Sequence, residues 1–247
     1  MKIITNDALV RRNARIAQYS GLGGLLVLLG GMYFLFAQPE QFAFIWAMVL
    51  LGFILSQVGI YFTNRWGRRP RPDERLNQAL KGLDHHYTLY HYPPKGPTSH
   101  LLVGPAGVWV LLPRYQRGTI TYERGRWRQK GGGLGLTYMK FFGQEGLGRP
   151  DLEINAEVES VKHFLEKHMP EDELPPVQVA LIFTNEKAQL EDMEEAPTPT
   201  LQPRKLKEFI RKQVKGKALS ADKIRQIKDL MEGGPGQSVA EEEEAEE

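Results

Sequence analysis

The chain has 247 residues, a formal net charge of +2 and no cysteine. A charge so close to balance excludes a globally basic nucleic-acid coat, so any anion binding must come from local patches. Without cysteine there is no disulfide framework, no zinc-thiolate site and no thiol nucleophile, which suits a reducing compartment.

The apolar residues are unevenly distributed. Residues 19–37 and 42–63 carry no charge and are rich in Leu, Gly, Phe and Val, the length and composition of two membrane-spanning helices. Only Gln38-Pro39-Glu40-Gln41 separates them, enough for a turn between antiparallel spans. A cleaved signal peptide is the competing reading of the first run. It is disfavoured because the run is long, no small-x-small site follows it, and a second span comes at once. Lys2, Arg11, Arg12 and Arg15 lie in the basic stretch 1–18, and Arg65, Arg68, Arg69 and Arg71 follow in the linker 64–72. By the positive-inside rule both termini are expected in the cytoplasm, with the protein multi-pass in the cell membrane and the lipid bilayer as its first partner. Neither span holds an ionisable side chain, so the pair reads as an anchor and not as a transport path.

From Asp73 the pattern is that of a soluble fold. Leu76, Ala79, Leu80 and Leu83 form a helical stripe behind the acidic first turn of Asp73 and Glu74. A strand follows over 87–92. Two Val- and Leu-rich runs, 99–103 and 108–113, flank Gly104-Pro105-Ala106-Gly107 and predict a tight β-hairpin. Thr119 to Tyr122 and Arg126 to Arg128 predict a second small hairpin around Arg124-Gly125. Gly131 to Gly135 lacks the Lys-Ser or Lys-Thr of a phosphate loop and reads as a loop. Residues 151–168 have an apolar face at Ile154, Val158, Val161 and Leu165, and 177–183 is a buried strand. A Pro-rich linker over 191–203 leads to basic amphipathic helices within 204–232, which either cover the domain or lie on a membrane or partner. The Gly-then-Glu tail 233–247 is expected to be disordered.

The soluble order is thus helix, three strands, helix, strand over residues 73–190. The stretch His100 to Arg114 resembles the central hairpin of the nuclease-related domain family, a branch of the PD-(D/E)xK nuclease superfamily, whose strand has the form D-H-x-x-V-G-P-x-G-V-x-V-I-E-T-K. The resemblance implies a restriction-endonuclease-like α/β (α+β) core, α-β-β-β-α-β, preceded by the transmembrane hairpin. It also implies where the catalytic residues would stand. The family's aspartate falls on Ser99, and its glutamate and lysine fall on Leu112 and Arg114. Its early glutamate is matched by Glu74, and its P-x-x-Q by Pro150 and Glu153. Leucine cannot ligate magnesium, serine is a weak ligand, and arginine is a poor proton donor or acceptor at neutral pH. The site is degenerate.

Glu74 and Glu153 are each explained by the helix dipole alone. His85, His86 and His91 fit a solvated strand edge better than a metal cluster, and Trp109 and Trp127 fit sheet packing. The remaining signal is cationic: Arg114, Arg117, Arg124, Arg126, Arg128 and Lys130 lie on neighbouring strands and turns. They could form a stripe that holds phosphate backbones, with Tyr115 and Tyr122 available for stacking. A solvated edge protected by charge is the competing reading. The expectation is a pseudoenzyme at the cytoplasmic membrane face that binds DNA, RNA or a protein partner. One alternative is a magnesium-dependent DNA nuclease using Glu74, Glu153 and a further acid. The other is a membrane scaffold engaging a protein through its C-terminal helices. No cofactor is expected, magnesium entering only with the nuclease.

Overall fold

The computed structural model describes residues 1–94, 96–131, 146–214 and 218–233. The expected glycine loop beyond Gly131, the end of the first C-terminal helix at Lys215 and the acidic tail beyond Gly233 lie outside them. The described residues form two compact units, Asp7–Arg71 and a mixed α/β unit made of Met1–Asn6 with the described residues from Pro72 onward.

The first unit is a helical hairpin, α1 (Asp7–Ala37) and α2 (Phe42–Phe62), both long and apolar enough to cross a membrane. Large apolar side chains such as Leu26, Phe36, Phe42 and Leu50 are exposed along both helices, as lipid-facing positions would be. Helix α1 begins well before the expected span. Its 31 residues extend about 46 Å, so Arg11, Arg12 and Arg15 ride on the helix outside the apolar stretch. The helices meet through small residues. A Cβ built on Gly24 would lie 2.8 Å from the Ser56 amide nitrogen, and one on Gly59 would lie 2.8 Å from that of Gly21. Side chains at these places would force the backbones apart.

In the second unit a six-stranded mixed sheet runs β1-β2-β3-β4-β7-β9. Its strands are β1 (Lys2–Thr5), β2 (Thr88–His91), β3 (His100–Gly104), β4 (Gly107–Arg114), β7 (Val177–Phe183) and β9 (Thr200–Leu201). The antiparallel run β2-β3-β4 is flanked by parallel partners, β1 on β2 and β7 on β4, with β9 parallel to β7. The β3–β4 turn closes with Gly104 opposite Gly107, and Gly107 has φ +102, a conformation that L side chains rarely adopt. Strands β5 (Gly118–Glu123), β6 (Arg126–Lys130) and β8 (Ala188–Glu191) form a second sheet in the order β6-β5-β8.

Alternation along the strands produces two apolar faces. Tyr90, Leu101, Val110, Leu112 and Leu181 pack with Ile154, Val161 and Leu165 of α4 (Pro150–Glu166) and with Ile224 and Ile227 of α6 (Ala221–Glu232). Leu89, Leu102, Trp109, Leu111 and Ile182 pack with Leu76 of α3 (Pro72–Ala79) and with Leu206 and Ile210 of α5 (Pro203–Gln213). The result is a sheet between two helical layers, each fully buried leucine contributing about 1.5–3 kcal/mol. The C-terminal helices α5 and α6 therefore spend their apolar faces on this core.

Strand β1 lies inside the stretch expected to be only a basic N-terminus. Lys2-Ile3-Ile4-Thr5 is β-branched at three positions, which suits a strand, and it pairs in register with Thr88 to His91. The helical hairpin is thus inserted in the chain between two pieces of one sheet-based unit. Lys2 Nζ is 2.9 Å from Glu232 Oε2 of α6, and the hydroxyl of the buried Tyr90 donates to Glu232 Oε1 at 3.1 Å. One carboxylate therefore joins β1, β2 and the last helix.

Candidate functional site

The positions that the resemblance marks as catalytic are arranged by β3 and β4. Ser99 immediately precedes β3, and its carbonyl accepts from the Tyr92 N–H at 2.8 Å. Leu112 is 5% exposed, opposite Leu181 of β7 and within the apolar face that packs on α4. A residue there is core and not a ligand. Arg114, two residues on and facing the same side, makes an ion pair through Nη2 with Glu153 Oε2 in the first turn of α4. Glu74 stands on α3, which packs on the opposite face of the sheet from α4. The two acids thus come from helices separated by the sheet, and one of them is already neutralised by Arg114.

Histidines are organised in two ways that the sequence pattern does not display. His91 and His100 are register partners on β2 and β3, buried, with their Nδ1 atoms 2.8 Å apart; His91 Nε2 is 2.9 Å from Asn77 Oδ1 of α3. One Nδ1 donates and the other accepts, so the pair is a hydrogen-bonded core element. Among the described residues, only Asp84, His85 and His86 form a group of three metal-ligating side chains within 4.8 Å of one another. They are exposed on the turn before β2. There the His86 amide N–H donates to Asp84 Oδ1 at 3.0 Å, and that hydrogen bond is the main cause holding the carboxyl below its usual range. His91 takes no part in that group.

The basic residues divide. On β6, Arg126, Arg128 and Lys130 are exposed and alternate with the half-buried Trp127 and Gln129. Strand alternation places the three cations on one outward side about 6.8 Å apart. Arg124 is exposed in the β5–β6 turn beside them. The inward side is fixed: Trp127 Nε1 donates to Asp151 Oδ1 at 2.7 Å, and Tyr122, opposite Trp127, meets its ring edge-on at 5.1 Å. Gln129 Nε2 donates to the Arg117 carbonyl at 2.8 Å, tying β6 to the loop before β5.

Arg114 is thus bound to α4 rather than aligned with the β6 row, and Arg117 lies in the β4–β5 loop. Tyr122 faces inward, and Tyr115 lies under the Arg75 guanidinium, 5.4 Å from ring centroid to Cζ. Neither tyrosine stands among the β6 cations as a stacking platform. Glu123, across from Arg126, lies 3.4 Å from Lys130 Nζ and 3.9 Å from Arg128 Nε. The hydrogen bond from Lys130 is the main cause lowering its pKa. Glu191 of β8, exposed and in register with Thr121, lies on the same side, so the face holds three cations on β6, one in the turn and two carboxylates, a net positive surface.

Comparison of the chain with family models, with curated proteins and with solved structures finds no match, so the function rests on this geometry.

Proposed function

We propose that this chain is a membrane-anchored, non-catalytic nucleic-acid-binding module, in which the outward side of β6 meets the phosphate backbone. The observation that carries the reading is the row of Arg126, Arg128 and Lys130, exposed and equally spaced on a strand braced from behind by Trp127 and Asp151. Such a row binds phosphates electrostatically and without base readout. With the β5–β6 hairpin between β4 and α4 set aside, the order α3, β2, β3, β4, α4, β7, with β7 parallel to β4, supports a degenerate nuclease-related domain of PD-(D/E)xK type. The nuclease reading is disfavoured by Leu112 in the core and by Glu153 in its pair with Arg114. The scaffold reading loses its docking faces, because α5 and α6 are turned into the core. Anchoring follows from α1 and α2. The pairing of β1 with β2 in one sheet supports a hairpin whose two ends lie on the same side of the membrane, and the arginines flanking the spans favour the cytoplasm as that side.

The test uses the full chain in lipid nanodiscs, with fluorescence anisotropy of single-stranded and duplex DNA and of RNA across a salt series, with and without magnesium. Replacing Arg126, Arg128 and Lys130 together by Ala should reduce the magnitude of the log K against log salt slope by about 2 on a single strand, at about 0.7 per cation. Glu123→Gln should tighten binding. Absence of salt-dependent binding, or a triple variant that binds as wild type does, overturns the proposal. Magnesium-dependent cleavage lost in Glu74→Ala would establish the nuclease in its place.

A further inference from the structure

We propose that the open edge of β7 is a docking site for an extended peptide of β-branched residues without acidic side chains, which adds as a short strand in line with β9. Two hydrogen bonds fix the direction of the β7 backbone groups. The Thr184 N–H donates to the Arg114 carbonyl of β4 at 2.7 Å, and the Leu181 N–H donates to the Pro199 carbonyl, on the β9 side, at 2.9 Å. Successive residues of a strand bond to opposite sides, so Val177 and Val179, like Leu181, turn their N–H and C=O groups away from β4. Strand β9 covers only Leu181 and Ile182. Continued backwards, its register would set Thr198 beside Val179, but Pro199 has no N–H to give to the Val179 carbonyl. The Val177 and Val179 N–H groups meet no acceptor among the described residues. Proline thus ends β9 early and leaves the first three residues of β7 as an open edge.

Val177, Gln178 and Val179 line a cleft of about 840 Å³. Ile154, Asn155 and Val158 of α4 line it from one face of the sheet, and Phe209 and Gln213 of α5, with Trp109 of β4, from the other. Phe209 meets the Trp109 ring edge-on at 5.4 Å. A strand laid beside β7 therefore finds apolar surface for the side chains of both its faces, which alternate. Because helices flank the edge on both faces, the cleft suits one bare strand. The same edge of a second copy carries its own α4 and α5 and is kept out. Charge narrows the occupant further. Lys162 Nζ pairs with Glu159 Oε1 at 2.9 Å, and Asp151 accepts from the Trp127 indole, so the lining has one net negative charge. That charge opposes phosphates and acidic side chains, and leaves main-chain hydrogen bonds and apolar contacts as the means of recognition. The inference does not rest on the β6 row, since the two share no residue.

The experiment follows the fluorescence anisotropy of a labelled hexapeptide, Lys-Thr-Val-Thr-Val-Thr, on the full chain in nanodiscs, together with hydrogen exchange of the same complex. The peptide should bind, and binding should slow exchange of the Val177 and Val179 amides. Val179→Pro removes an N–H that faces the cleft and takes nothing from β4, so it should weaken binding about tenfold. Asn155→Trp, at an exposed position of α4, fills the cleft from its wall and should weaken binding likewise in a chain whose strand edge is unaltered. The same peptide N-methylated at every residue, or with both valines replaced by glutamate, should not bind. Absence of binding by the parent peptide overturns the proposal, as does binding that is unchanged in Asn155→Trp or that leaves the Val177 and Val179 amides unprotected. Self-association of the chain that is lost in Val179→Pro, without peptide binding, assigns the edge to a second copy and equally overturns the peptide.

Discussion

Leu112→Glu restores the carboxylate that a nuclease of this type would carry and asks whether position 112 is core or site. Leu112 is 5% exposed and packed among Val110, Leu181 and Ile154. Losing its burial costs about 1.5–3 kcal/mol, and an ionised carboxylate there adds several more for desolvation. Arg114 on the same side offers little compensation while it is paired with Glu153. A loss of about 4–6 kcal/mol at neutral pH is expected, against about 5–15 kcal/mol for a typical domain. Leu112→Met should lose less than about 1.5 kcal/mol. Burial raises the pKa of the introduced carboxyl above its unfolded value of about 4.3. Stability therefore falls by about 1.4 kcal/mol per pH unit as the pH rises from that value to the folded pKa, then levels off. Pulse proteolysis of the full chain in urea, at pH 4 and pH 7, measures this. If Leu112→Glu proved as stable as Leu112→Met at pH 7, position 112 would be solvated, and the argument against a metal site there would fail.

Glu232 is expected to hold β1 and β2 to the last helix. Glu232→Ala leaves the buried Tyr90 hydroxyl without its partner and should cost about 1–3 kcal/mol, while Tyr90→Phe in the same background recovers part of that loss in a double-mutant cycle by urea unfolding. Burial, followed by the nearby Glu232 charge, raises the Tyr90 pKa. The unfolded chain thus loses a phenol proton above about pH 10 that the folded chain keeps, and stability should fall as the pH rises past that point more steeply in wild type than in Tyr90→Phe, where the Tyr87 phenol, its pKa also raised by burial, still contributes. In the helical hairpin, Gly59→Val should lower the melting temperature in detergent by several degrees, because its Cβ would lie 2.8 Å from the Gly21 backbone nitrogen. Gly23→Ala, whose Cβ meets nothing within 4 Å, should not; equal effects at the two positions would refute the close packing of α1 on α2.

Much of the fold was legible because physics leaves few options at those places. A bilayer needs long uncharged runs, so both apolar helices stand out. Gly-Pro-Ala-Gly between two valine-rich runs specifies the β3–β4 turn, and the three-and-four spacing from Ile154 to Leu165 specifies α4. The short strands did not show. Lys2–Thr5 has four residues, too few for a period, and its identity as a strand is conferred by a partner far along the chain. Thr200–Leu201 sits in a stretch whose prolines read as linker, and it becomes a strand only because β7 offers an edge.

The candidate site divides along the same line. Alternation within β6 is local, so the grouping of Arg126, Arg128 and Lys130 follows from residue spacing alone, and the half-buried Trp127 between them marks the side that turns inward. The capture of Arg114 by Glu153 is not local. It depends on α4 packing against the side of β4 that also carries Leu112, and the two residues that the resemblance marked separately come together only when the crossover closes. The His91–His100 pair needed a register, which no period supplies, although Leu89-x-His91 and His100-x-Leu102 hinted that both rings share the leucine face. Local spacing can thus nominate a charged surface, whereas deciding which charges are already spent requires the long-range partners. That difference moves the functional reading from Arg114 to the outer side of β6.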